Sequence, residues 1–363
     1  MVSADNSYKL IACHYISEQL NKLCKELNGA KQAKDVEHVH QSRVASRRIR
    51  AALGIFENCF PGKKIKKWQN EIKKLTKGFG PARDADVQIE YLRQVLSKLG
   101  DQQKNLVPGI NRLLLRTLQH RQKVQTGVIK TIDELESGII LADIHASVEK
   151  NLFYFRNKDL SVKSEYVFQQ TAMHINKRLH KFLSYQNCLK NPSEKEQHHK
   201  MRIAAKKFRY AMEICQEPYE GGLNNEIKTV KKLQTFLGDI HDCDVWEDHI
   251  SKFMKTELQL TIEYFGSNKP YYLLLPGFEY LIQEQKRQRQ NFFEELVFFW
   301  QQLLNQKFWH DLVKKLKKPQ IDLNKTSIKI KEIKTKPKNT NDQNHTNIRG
   351  CSRESTGIGS SSQ

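Results

Sequence analysis

The chain has 363 residues, with 61 Lys and Arg against 40 Asp and Glu, so its formal net charge is +21. Hydrophobic residues make up 38% of the chain and charged residues 28%, which favours long, surface-rich helices over a compact β-sandwich. No stretch approaches the roughly 20 apolar residues that a membrane-spanning helix needs, so we expect no membrane association. The first ten residues lack the basic flank and apolar core of a secretory signal, so we expect a cytoplasmic protein with reduced cysteines.

Glycine and proline are sparse, at 17 and 9 residues, and they punctuate long segments in which apolar residues recur three and four positions apart. This spacing predicts an all-α protein with five helices in each half of the chain. The predicted helices are 6–28, 37–58, 63–78, 84–99 and 106–136, then 164–189, 196–216, 222–236, 242–264 and 276–305. From Pro319 onward Asn, Thr, Ser and Lys dominate, which predicts a disordered basic tail over residues 319–363.

Three motifs recur in the same order in the two halves. HQSRVASRRIRAAL aligns with HHKMRIAAKKFRYAM when His40 is matched to His199, an offset of 159 residues. FGPARDADV at 79–87 matches LGDIHDCDV at an offset of 158, and LVPGI at 106–110 matches LLPGF at an offset of 168. We therefore predict an internal duplication within one domain, residues 1–318, with repeats at about 6–150 and about 160–318.

The first motif, placed on a helix, lines four basic side chains along one face, and the second motif repeats the arrangement. These side chains are His40, Arg43, Arg47 and Arg50 in the first half, and His199, Arg202, Lys206 and Arg209 in the second. Like charges three and four residues apart on a helix repel each other. Because the stripe contains no Asp or Glu and occurs twice, it indicates a polyanion site rather than a solvated surface. Arg, Lys and His are all donors to phosphate oxygens.

Further basic residues flank these stripes. Arg48 and Lys207 point roughly 80° away from the first histidine of their stripe, which makes them possible flanking contacts. On the third helix of each half, lysine pairs recur at matching places, and we include them in the predicted site. These are Lys73 with Lys74, and Lys231 with Lys232.

The acidic motifs R-D-A-D-V and H-D-C-D-V each follow a glycine. Asp84 and Asp242 are therefore predicted to be helix N-caps or first-turn acids, and such carboxylates could also brace the basic stripe by pairing with Arg. Metal binding is the rival interpretation of His241 with Asp242. It is disfavoured, because the matching residue in the first half is Arg83 and no further ligands stand at helical spacing.

These motifs are similar to the signature of the CHAD family, the conserved histidine α-helical domain. The matching segments are VHQSRVASRRIRAAL with FGPARDADV, and HHKMRIAAKKFRYAM with LGDIHDCDV, within a resemblance that covers roughly residues 6–318. The resemblance implies two pseudo-symmetric helical bundles whose basic helices face a central groove or pore that binds inorganic polyphosphate. It also implies association with polyphosphate granules. The second half departs from the Arg-rich family pattern at Lys206, Lys207 and His241.

By this resemblance the basic stripes line an anion path, and we expect a non-catalytic protein that binds polyphosphate without a cofactor or metal. The E-x-E-x-K signature of the triphosphate tunnel domain often fused to CHAD domains is missing here. Nucleic-acid binding is the alternative, although most aromatic residues fall on buried stripes where they cannot stack on bases. A metal-dependent phosphohydrolase is weaker still, because no nucleophile or carboxylate pair accompanies His40 and His199 on their stripes.

Overall fold

The structure is a computed structural model that describes residues 5–158, 160–219 and 221–317. Over these residues the chain forms twelve α-helices and no β-strand, which confirms the all-α prediction. The helices are α1 (Asn6–Gln32), α2 (Val36–Ile55), α3 (Gly62–Gly78), α4 (Gly80–Lys98), α5 (Val107–Ser137), α6 (Ile140–Phe155), α7 (Glu165–Leu183), α8 (Lys195–Cys215), α9 (Asn224–Phe265), α10 (Lys269–Tyr272), α11 (Leu275–Asn305) and α12 (Phe308–Lys317). Within the described part of the chain, no helix is long and apolar enough to cross a membrane. The predicted disordered tail, residues 319–363, lies outside the described residues.

Local sequence signals account for where several helices begin and end. The Asp5 carboxylate accepts the backbone N–H of Ser7 at 2.7 Å and so caps α1. Asp35 caps α2 in the same way by accepting the backbone N–H of Glu37 at 2.8 Å. Such side-chain oxygens satisfy donors that the first helical turn leaves without partners. At the C-terminal end of α9, Gly266 has a φ of 62°, a left-handed conformation that ends the helix.

The two halves of the chain have the same order of helices. In sequence order, α1 and α2 of the first half correspond to α7 and α8 of the second half. The pair α3 and α4 corresponds to the single helix α9. α5 and α11 are both 31 residues long and begin at Val107 and Leu275, 168 positions apart, which is the offset of the LVPGI and LLPGF motifs. This order supports the predicted internal duplication.

The helix boundaries differ from the prediction in two ways. The predicted helices 222–236 and 242–264 are one continuous helix, α9, of 42 residues. It runs through Gly238, because a glycine costs only about 1 kcal/mol inside a helix and does not by itself end one. Three further helices, α6, α10 and α12, were not predicted, although α6 and α12 each bury an apolar stripe, such as Ile144 and Val148 in α6.

Asp84 and Asp242 are not helix caps or first-turn acids, so that prediction was wrong. α4 begins at Gly80 with Pro81 in its first turn, a position that suits proline, and Asp84 therefore lies inside the helix. Asp242 lies near the middle of α9, because that helix does not break after Gly238. Both carboxylates project from the sides of helices rather than from their ends.

Apolar side chains form two hydrophobic cores. The larger core packs α1, α2, α3, α7 and α8 together and contains fully buried aromatic residues such as Phe208. The smaller core joins parts of α4, α5, α9 and α11 around Phe278. Along α9, Asp242 lies between Ile240 of the larger core and Trp246 of the smaller core. The acidic motif of the second half therefore lies at the boundary between the cores.

Candidate anion-binding site

The basic stripes of the two halves meet in one cluster. α2 and α8 contact each other. Four of their cations lie close enough to interact electrostatically, and we call these four the basic cluster: Arg43, Arg47, Arg202 and Lys206. All four are half-buried, so water screens their mutual repulsion only in part.

Lys206 is the most strongly perturbed member of the basic cluster. Its pKa is lowered to about 7, first because burial removes water from the ammonium group, and then because Arg202 and Arg47 lie nearby. Burial is also the main cause that lowers the pKa of Arg43 and of Arg202, although a guanidinium stays charged in proteins. A bound anion would offset the repulsion among these cations and favour their charged forms.

Two carboxylates partly balance the basic cluster. Asp242 lies with its Oδ1 atom 3.7 Å from the Arg202 guanidinium and also interacts with Lys206. Asp84 interacts with Arg43 and Arg202. The acidic motif thus braces the basic stripe, as one of the two sequence interpretations expected. Four basic side chains face two carboxylates, so positive charge remains in excess.

The cluster also contains two buried donors without partners. The Nε atoms of Arg43 and Arg202 are inaccessible to water and make no hydrogen bond to any residue that the structure describes. The two residues stand at matching positions of α2 and α8, so both helices show the same unmet donor. Because buried donors are ordinarily paired, these two Nε–H groups are an energetic cost within the free protein.

Burial lowers the pKa of the histidine at the start of each stripe, His40 and His199. The pKa of His40 is lowered by burial and then by the nearby Arg83. His199 and His241 contact each other through their Nδ1 atoms at 3.1 Å, which requires one ring to donate and the other to accept. Burial, followed by the charge of Arg202, lowers the pKa of His241 to about 4. Over the described residues, no three His, Cys, Asp or Glu side chains are grouped so that they could hold a metal ion.

The last arginines of the two stripes have different surroundings. Arg50 is half-buried beside Arg47 and forms no ion pair with any described residue. Arg209 donates from its NH1 atom to Glu213 at 2.7 Å and lies with its guanidinium carbon 4.9 Å from the centre of the Tyr210 ring. Arg47 approaches the same ring at 5.7 Å, so Tyr210 connects the two stripes.

Arg48 lies apart from the basic cluster. Its NH2 atom is 3.6 Å from a Glu213 carboxylate oxygen, and its side chain lines a groove of about 770 Å³. The groove runs between α1, the end of α8 and the start of α9, where Tyr15 and Glu217 also line it. The structure therefore brings Arg48 to Glu213 rather than to Arg43 and the other members of the cluster.

The predicted lysines outside the cluster all lie on the surface. They are Lys73, Lys74, Lys207, Lys231 and Lys232. Lys74 pairs with Glu71 at 2.8 Å, and the Lys232 ammonium lies 4.3 Å from the centre of the Phe299 ring. Exposed lysines of this kind contribute to the long-range field more than to a defined contact.

Sequence reasoning missed the arginines that fix the acidic motifs. Asp86, the second aspartate of the first motif, accepts from Arg121 at 2.5 Å, and Asp244 accepts from Arg289 at 2.7 Å. The aspartates are 158 residues apart and the arginines 168 apart, which are the offsets of the repeated motifs. Comparing all charged residues at these offsets would have found both pairs.

The fold and the cluster define a class, that of all-helical proteins whose two halves bring half-buried cations together. The chain belongs to the CHAD domain family, whose model matches residues 14–251. No curated protein matches the chain at a significant level.

Two solved structures resemble the chain. The CHAD domain from the plant Ricinus communis has a TM-score of 0.54 and 19% sequence identity, over 81% of this chain and 92% of that chain. PptA from Streptomyces chartreusis has a TM-score of 0.53 and 13% identity, over 80% of this chain and 98% of that chain. At these identities the two likenesses establish the fold alone.

Proposed function

We propose that this protein binds inorganic polyphosphate in the basic cluster and does not turn it over. The observation that carries the proposal is the meeting of Arg43, Arg47, Arg202 and Lys206 from two matching helices, where positive charge exceeds negative charge. Anionic oxygens would offset this excess of positive charge. Membership of the CHAD family makes a chain of phosphates the favoured ligand.

The proposed contacts follow the two stripes. The binding residues are His40, Arg43, Arg47, Arg50, His199, Arg202 and Lys206. Cations one helical turn apart are spaced by about 5.4 Å along the axis, so a flexible phosphate chain can bring an oxygen to each of them. Binding releases counterions from the polyanion, so the logarithm of the affinity should fall linearly with the logarithm of the salt concentration. The exposed lysines attract the ligand from a distance.

Burial of the cluster favours polyphosphate over nucleic acid. The members of the basic cluster are half-buried, so a ligand must be thin to reach them. A nucleic acid carries a sugar and a base at every phosphate, whereas a polyphosphate chain carries no substituent. We therefore expect long-chain polyphosphate to displace RNA or DNA at equal phosphate concentration.

The decisive experiment compares two quadruple variants by calorimetry with long-chain polyphosphate. Replacing Arg43, Arg47, Arg202 and Lys206 with Ala should weaken binding by about 100-fold or more at low salt, since each is a charge-assisted contact. The matched control removes the same charge from the exposed face of α3, by replacing Lys63, Lys66, Lys67 and Lys77 with Ala, and should cost far less. Equal losses would reduce the interaction to net charge and refute the site.

Two further measurements complete the proposal. Incubation with polyphosphate, with and without divalent metal ions, should release no phosphate, and any release would contradict a purely binding function. A fluorescent fusion should colocalise with polyphosphate granules in the cytoplasm, and the quadruple cluster variant should disperse.

A further inference from the structure

The second stripe ends in a carboxylate that the first stripe lacks. Glu213 follows Arg209 by four residues on α8 and accepts from its NH1 atom at 2.7 Å. The Arg209 Nε–H is also occupied, because it donates to Gln234 at 2.8 Å. The side chains of Arg209 and Glu213 are only 13% and 16% exposed, so salt screens this pair less than a surface pair.

The same carboxylate faces a second arginine. Its other oxygen, Oε2, lies 3.6 Å from the NH2 atom of Arg48 on α2, which is too far for a hydrogen bond. This oxygen is buried and accepts no hydrogen bond from any residue of the described part of the chain. One carboxylate therefore faces arginines from both α2 and α8.

The matching position of the first half is a glycine. At the offset of 159 residues, Arg209 corresponds to Arg50 and Glu213 corresponds to Gly54. A Cβ atom built on Gly54 would meet no described atom within 4 Å, so the absence of a side chain there is not imposed by packing. Arg50 consequently lies one turn before an open position, whereas Arg209 lies one turn before a carboxylate.

We propose that Glu213 is an internal counter-ion that withdraws Arg209 and Arg48 from the anion path. The phosphate chain, on this proposal, leaves the basic cluster along the first half only, past Arg50. The inference rests on the proposed polyphosphate function and adds a direction to the path. Glu213 is thus a specificity-determining residue, although it does not itself contact the ligand.

The electrostatic reason is competition for the same donors. To bind Arg209, a phosphate must displace a carboxylate that already holds the guanidinium at 2.7 Å in a partly desolvated place. It must also approach the negative charge of Glu213 itself. At Arg50 neither cost arises. The two arginines, equivalent by sequence, should therefore differ in their contribution to binding.

The first test compares matched arginine variants by calorimetry with long-chain polyphosphate at low salt. R50A should weaken binding about five- to tenfold, as expected for one charge-assisted contact. The double variant R209A/E213Q, which removes the arginine and the charge of its counter-ion together, should change binding less than about twofold. E213Q alone should tighten binding by about three- to tenfold, and R209A should cost about fivefold when added to E213Q. Equal losses from R50A and from R209A/E213Q would overturn the proposal.

The second test transfers the counter-ion to the first half and remains decisive if E213Q fails to fold. G54E places a carboxylate four residues after Arg50, and G54Q adds a side chain of the same size without the charge. G54E should weaken binding about fivefold relative to G54Q, with equal thermal stability of the two folded variants. Equal affinities would overturn the proposal. If the wild-type protein does not bind polyphosphate, the proposed function is refuted. The comparisons between variants test the role of Glu213 alone.

Discussion

Gly109 and Gly277 face each other where the backbones of α5 and α11 come into close contact. A Cβ atom on Gly109 would stand 2.1 Å from the carbonyl oxygen of Leu274, and one on Gly277 would stand 2.3 Å from the carbonyl oxygen of Leu106. Gly109 and Gly277 are 168 positions apart, and so are Leu106 and Leu274. The two contacts are therefore equivalent under the repeat. The sequence signal for this approach is the repeated L-x-P-G motif.

The first prediction concerns this glycine pair. G109A should lower the free energy of unfolding by about 3 kcal/mol, because the new methyl group meets backbone atoms that cannot swing aside. The control is G127A in the same helix, where a Cβ meets no described atom within 4 Å, and it should raise stability by about 0.5–1 kcal/mol. Urea denaturation measures both variants. Equal effects would show that the two backbones can separate without cost.

The second prediction concerns the pH dependence of binding. The pKa of Lys206 is lowered to about 7 in the free protein, and bound phosphate oxygens should raise it. Between these two pKa values binding takes up a proton. Affinity should therefore be level below about pH 7 and fall above it, by up to about tenfold per pH unit.

The control for the pH dependence is K206R, because an arginine stays charged throughout and should flatten the profile between pH 6 and 9. His241, with a pKa of about 4, titrates below this range. Calorimetry in buffers of different ionisation enthalpy counts the protons taken up directly. A profile that K206R leaves unchanged would assign the proton to another group.

The third prediction separates stability from affinity at the same residue. K206M keeps the aliphatic part of the side chain but removes a half-buried charge beside Arg202 and Arg47, so it should raise the free energy of unfolding at pH 7 by about 1–3 kcal/mol. It should weaken polyphosphate binding by about tenfold. K200M, on the exposed side of the same helix, should change either quantity little. A destabilised K206M would show that the repulsion is already relieved in the free protein.

The fourth prediction concerns the paired acidic motifs. Asp86 is 7% exposed and holds Arg121 at 2.5 Å, so D86N should leave a poorly paired buried cation and cost about 3 kcal/mol. D244N should cost at least as much, because Asp244 also faces Lys195 at 3.3 Å. E18Q, which breaks an exposed pair with Lys22, should cost less than about 0.5 kcal/mol. Thermal unfolding followed by circular dichroism distinguishes these outcomes.

Much of the fold could be predicted from the sequence, because apolar periodicity reports directly on which side of a helix is buried. That periodicity placed the helices that carry the basic stripes, and the repeat paired His40 with His199. It could not show that α9 continues through Gly238, since a glycine weakens a helix without ending it. For the same reason Asp242 was placed at a helix start rather than in the middle of α9.

The composition of the site was harder to predict than its location. Four of the eight stripe residues meet in the basic cluster, and the repeat identified all four. The different surroundings of Arg50 and Arg209 depend on whether a carboxylate follows one turn later, a local signal that was present at Glu213. The approach of Arg48 to that same carboxylate depends on how α2 packs on α8, which no spacing along one helix can reveal.

The 42 residues of α9 extend about 63 Å at a rise of about 1.5 Å per residue, without interruption from the larger core into the smaller one. One continuous helix therefore connects Leu237 in the larger core to Ile250 in the smaller core. Unfolding of either core at this junction would disrupt α9, which also contributes side chains to the other core. Heating should consequently give one cooperative transition for the whole helical body, rather than two steps in succession.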